Sequence, residues 1–82
     1  MDLESARSQF IRLWEIQNQL LLNDIDSELR NAVSYGKREC HVYIGDVTTT
    51  MHDVVAYYEQ KGFHCELYEA QKIMVLRGWS LS

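Results

Sequence analysis

Two hydrophobic periods divide this chain at Gly36. Before it, apolar or large residues recur at Leu3, Ala6, Phe10, Leu13 or Trp14, Leu21, Ile25, Leu29, Ala32 and Val33. Spacings of three and four are those of a helix with one greasy face. Residues 1–35 contain neither glycine nor proline, and most are good helix formers. Gly36 then fits the left-handed position that closes a helix, and Lys37 and Arg38 follow where cations favour a helix C-terminus. A continuous helix of this span would be about 50 Å long. A compact domain of this size is only roughly 30 Å across. Either the helix breaks or its overhang packs on another subunit. The polar cluster Asn23, Asp24 and Asp26 predicts the break, with a helical arm over residues 1–22 and a second helix or continuation over 23–36.

After Gly36 the period becomes two. Residues 39–45 read as a strand with Cys40, Val42 and Ile44 on one face and His41 and Tyr43 on the other. Asp46 and Val47 are expected to turn the chain. Thr50 and Asp53 give the capping pattern T-x-x-D, opening a helix through Met51, Val54, Val55, Tyr57 and Tyr58 that stops at Gly62. Residues 63–68 form a second strand, with Phe63, Cys65 and Leu67 inward and His64, Glu66 and Tyr68 outward. A tight turn over 69–71 leads to a third strand over 72–79. Its centre, Ile73 to Leu76, is apolar on both faces. Such a strand belongs in the middle of a sheet with both faces covered. The expected fold is α+β: one domain over 1–82, with one or two N-terminal helices before a β-α-β-β core (39–79). The sheet is antiparallel with strand order 1-3-2, and the helices pack on one face.

Composition narrows the function. Eighty-two residues, 46% hydrophobic and 24% charged, make one ordinary globular domain. No apolar run, Leu20 to Leu22 among them, is long enough to span a bilayer, and Asp2 and Glu4 are unlike the start of a signal peptide. A net charge of −4 opposes general nucleic-acid binding. Two cysteines make no disulfide framework, and on the two edges of the sheet they would stand roughly 9–10 Å apart, too far to bond. They are expected as reduced thiols. The pairs Cys40-His41 and His64-Cys65 suggest metal ligands, but strand neighbours point to opposite faces, so the four groups cannot converge. No metal site and no cofactor is expected. Inward cysteines are poor nucleophiles, and no phosphate-binding loop or serine-hydrolase elbow is present, so the chain is not expected to be an enzyme.

The outer sheet face carries more promise. It presents His41 and Tyr43, then Met74 and Leu76 (or Ile73 and Val75), then His64, Glu66 and Tyr68. Either the N-terminal helix or a second copy covers this strip, or it is a surface for a ligand or partner. The candidate ligand set is His41, Tyr43, His64 and Tyr68 with Arg38 and Arg77, where stacking rings and arginines would suit a nucleotide. Phe10, Trp14 and Leu21 are the candidate interface between copies, because the arm has more apolar surface than one small sheet can hide.

Residues Ile25, Leu29, Ala32 and Gly36, then Cys40, Val42 and Ile44, then Lys61, Gly62 and Phe63, then Cys65, Leu67 and Trp79 together form a pattern. It resembles small accessory proteins of tailed bacteriophages, over about two thirds of the chain. The chain departs from that pattern in having Arg77 and Gly78 before the tryptophan, where isoleucine and serine are usual. The resemblance implies the cytoplasm of an infected bacterial host and a protein that binds rather than catalyses. The expected partners are a second copy of itself and either a small nucleotide signal or a host protein. By sequestering the nucleotide signal it would counteract a host defence; the alternatives are direct inhibition of a host protein and a purely structural or assembly role for the phage.

Overall fold

A computed structural model describes residues 1–45 and 50–80. The expected turn at Asp46 and Val47 lies outside the described residues. Helix α1 (Leu3–Gln17) is opened by Asp2, whose carboxylate accepts from the Ser5 amide at 2.8 Å. Helix α2 (Gln19–Ser34) and helix α3 (Met51–Gln60) both close on a glycine in the left-handed region, Gly36 at φ 72° and Gly62 at φ 99°. Beyond each, the chain folds back in the same way: the Lys37 amide donates to the Ala32 carbonyl, and the Phe63 amide to that of Tyr58. These two motifs satisfy carbonyls that the helix ends would otherwise leave open. Thr50 caps α3 as its T-x-x-D pattern predicts, its hydroxyl accepting from the Asp53 amide at 3.2 Å.

Strands β1 (Glu39–Tyr43), β2 (His64–Tyr68) and β3 (Ile73–Arg77) form one antiparallel sheet in the order β1-β3-β2. The fold is α+β, with the topology that the alternating pattern predicts. In the register, Leu76 lies between Cys40 and Cys65, and Met74 lies between Val42 and Leu67. This face joins Ile25, Leu29 and Ala32 of α2 and Val54 and Tyr58 of α3 in one core. Both helices therefore cover the same side of the sheet. Trp79 closes the far end, stacking edge-on against Phe63 and donating its indole N–H to the Lys37 carbonyl at 2.8 Å.

The helical break is at Asn18, not at Asn23. Asn18 is buried, with φ −113° and ψ 22°, and its side-chain amide donates to the Trp14 carbonyl at 2.9 Å. A side chain that competes for a helical carbonyl bends the helix. Asn23, Asp24 and Asp26 instead lie within α2 as ordinary helical residues. Hydrogen bonds of the helical type continue across the bend, from the Asn18 amide to Trp14 and from the Leu22 amide to Asn18. The arm therefore runs on from α2 and passes beside α3, Trp14 and Glu15 meeting Tyr57. The molecule extends 43 × 28 × 20 Å with a radius of gyration of 13.5 Å, against about 12 Å for a compact chain of this length.

The arm is fixed at its C-terminal half. The Trp14 ring lies 4.8 Å from that of Tyr57, and the Tyr57 hydroxyl donates to the Glu15 carboxylate at 2.5 Å. Burial, followed by this bond to Glu15, pushes the Tyr57 phenol far above its usual range. Among the described residues, no helix is long and apolar enough to cross a membrane.

Candidate functional site

The register decides which residues share the outer sheet face. His41 and Glu66 flank Val75, Tyr43 and Tyr68 flank Ile73, and Glu39 and His64 flank Arg77. Of the two pairs that the sequence leaves open for the middle of this face, the structure selects Ile73 and Val75; Met74 and Leu76 are in the core. No helix of the chain covers the face, since α2 and α3 pack on its other side and α1 continues from α2. Val75 is nonetheless only 2% exposed. The long polar side chains around it shield it, so β3 has one face under helices and one under its own sheet neighbours.

Those polar side chains are tied together. The Arg77 guanidinium donates to Glu39 at 2.8 and 2.9 Å and, on its other side, to Glu66. Glu66 also accepts from the Tyr68 hydroxyl at 2.8 Å, while the His41 imidazole lies 3.3 Å from Glu39. One arginine thus spans all three strands. Bonds from His41 and then Arg77 hold the Glu39 carboxyl below its usual range, and bonds from Tyr68 and then Arg77 do the same for Glu66. These groups are about half exposed, so the network contributes little stability. What it fixes is shape, because a planar fork bound on both sides has few alternative rotamers.

The predicted ligand residues are mostly brought together. His41, Tyr43, His64, Tyr68 and Arg77 share the outer face, whereas Arg38 precedes β1 and stays outside the strand array. The predicted interface between copies is divided by the fold. Trp14 is in the core, Leu21 is half-buried against it, and Phe10 remains exposed. Sequence reasoning missed the role of Glu39. Its place in the β1 alternation with His41 and Tyr43 puts it on this face, but only the pairing register sets it opposite Arg77.

The cysteines face the core and their histidine neighbours face outward, as alternation requires. Among the described residues, no three His, Cys, Asp or Glu side chains cluster as metal ligands. Burial raises the thiol of Cys40 and pushes that of Cys65 up to about 11. At pH 8 both are therefore thiols in the folded protein. Native protein should react with a disulfide reagent at least tenfold more slowly than urea-unfolded protein, read as thiolate released per chain. Equal rates would contradict the buried placement. The depressions of the surface are open troughs, including one of about 230 Å³ between Phe10, Ile11 and Trp14 of α1 and Asp53 and Tyr57 of α3. Comparison with protein-family models, curated proteins and solved structures found no match to this chain.

Proposed function

We propose that this chain is a non-enzymatic binding protein that docks on another protein through its outer sheet face. In the phage setting that its sequence pattern resembles, the partner is a host defence factor. The observation that carries this reading is the Arg77 clamp. An arginine free to swing could hold a phosphate bidentately, but this one is already held by two carboxylates, and a phosphate would meet Glu39 and Glu66 at the same place. The arrangement favours protein docking over nucleotide capture. Around the clamp, Tyr43, Tyr68, His41 and His64 make a braced surface rich in tyrosine and arginine, the residue types enriched where proteins bind proteins. Glu39 and Glu66 outnumber the one arginine between them, and the chain as a whole carries −4, which favours a partner presenting basic groups.

The test has two arms. Calorimetry against cyclic and ADP-ribose-derived nucleotides should show no heat of binding. A host protein recovered on the immobilised chain should bind again as a purified pair, and the double variant Arg77→Ala, Tyr68→Ala should weaken that pair at least tenfold. Micromolar nucleotide binding would replace this reading by sequestration. A purified pair that the double variant leaves unchanged would remove the sheet face from the function.

A further inference from the structure

The sheet ends on one side at β1, and the backbone there is turned outward. The Ile44 amide donates to the Lys72 carbonyl at 2.9 Å, which fixes the phase of the ladder. Bonded and unbonded pairs alternate along two antiparallel strands, so Cys40, Val42 and Ile44 direct their backbone groups to β3. Glu39, His41 and Tyr43 therefore direct theirs away from the sheet. Among the described residues, no backbone bond outside the ladder reaches His41 or Tyr43. Edge strands that are kept single commonly carry lysine, proline or a bulge. β1 contains neither residue, and its pairs with β3 run in unbroken register from Glu39 to Tyr43.

A trough follows this edge. Two depressions of about 450 and 250 Å³ share Glu28 and His41, and together they line β1 from Tyr43 to Cys40 with α2 as the opposite wall. Asp24 and Glu28 stand on that wall one helical turn apart, both exposed. Glu28 is near enough to β1 to add to burial in raising the Cys40 thiol. Lys37, at the Cys40 end, is the one lysine or arginine among the described lining residues.

We infer that this edge takes up an extended segment of another protein, added to β1 as a fourth, antiparallel strand with basic side chains toward Asp24 and Glu28. In such an addition, the residues that bond to His41 and Tyr43 leave their own side chains on the outer face, and the residues between them point against α2. Every second residue then meets the acidic wall, where lysine or arginine is matched in charge. Main-chain bonds supply affinity, and the alternate side chains supply specificity. The antiparallel direction continues that of the sheet and is slightly the stronger of the two. A second copy of β1 would offer the same main-chain groups, but charge opposes it. Pairing β1 with β1 about a two-fold axis would bring two α2 helices together with their acidic sides facing. The edge is a second site, and it stands whether or not the outer face docks a partner.

The probe is a short end-blocked peptide alternating lysine and threonine, titrated with the full chain and followed by fluorescence anisotropy. Binding should saturate. Methylating the threonine amides should weaken it at least tenfold, because those N–H groups face β1; methylating the lysine amides should leave it nearly unchanged. The double variant Asp24→Lys, Glu28→Lys should also weaken binding at least tenfold. Glu4→Lys, Glu59→Lys alters the net charge equally at exposed residues away from the trough and should leave binding nearly unchanged. Both variants should keep the native circular dichroism spectrum; if the first does not, Asp24→Asn, Glu28→Gln reads the same loss of charge. Absence of saturable binding, or equal effects of the two methylations, would overturn strand addition. A loss confined to methylated lysines would overturn the antiparallel arrangement. Equal binding of a peptide with glutamate in place of lysine would overturn the charge match. A doubled mass in light scattering that His41→Pro returns to the 9.7 kDa single chain would place a second copy on the edge and overturn the proposal as well. The peptide measurements involve no host protein, so strand addition and docking on the outer face fail separately.

Discussion

Trp14→Ala should lower the unfolding free energy by about 3–5 kcal/mol, the usual cost of removing a buried tryptophan. An 82-residue domain has only about 4–12 kcal/mol in total, so this substitution should leave the protein partly unfolded near room temperature. The sequence alone allows two outcomes for this residue, loss of assembly or loss of the fold. The structure selects the second. Trp14 is the buried residue of α1, its ring lies against Tyr57, and its carbonyl receives the Asn18 side chain that bends the helix. Removing the ring opens a cavity at the joint between arm and body. Urea melts followed by circular dichroism give the measurement, and a shift below about 1 kcal/mol would mean that the arm is not held by this contact.

Leu76→Ala and Val75→Ala, neighbours on β3, should differ sharply. Leu76 is fully buried between Cys40 and Cys65 beneath two helices, and its truncation should cost about 2–5 kcal/mol. Val75 is almost as inaccessible, yet its cover is a single layer of half-exposed polar side chains, so a smaller residue there leaves a dimple that water can reach and not an enclosed cavity. The same melts should give about 1–2 kcal/mol for Val75→Ala, near the transfer value of the two carbons removed. Equal losses at the two positions would mean that a further layer packs on the outer face, against the open docking surface proposed above.

These expectations show where sequence reading succeeds and where it stops. The strand order was legible because Ile73 to Leu76 is apolar at every position and a hairpin joins β2 to β3, which leaves β1 the other side. The caps were legible because Gly36, Gly62 and Thr50 each have a local chemical reason to be there. The bend was placed wrongly, since the Asn23–Asp26 cluster has the composition of a cap while Asn18 acts through one bond to a carbonyl four residues back. What covers the outer side of β3 was left open by its continuous apolar residues; the structure has no helix there, and the charged neighbours of Val75 shield it. The candidate face was recovered in five of its residues by alternation alone. Its central feature was not, because alternation says which face Glu39 occupies and nothing about what stands opposite.

What the sequence determined by itself is everything that depends on neighbours along the chain: helix period, strand period, turn chemistry and the side on which each side chain leaves the backbone. What only the tertiary structure decided is everything that depends on register and direction between elements. It set Arg77 between two carboxylates, sent Trp14 inward and left Phe10 exposed. The physical reason is that a residue's exposure is fixed by the element that arrives next to it. Local propensity carries no record of that arrival.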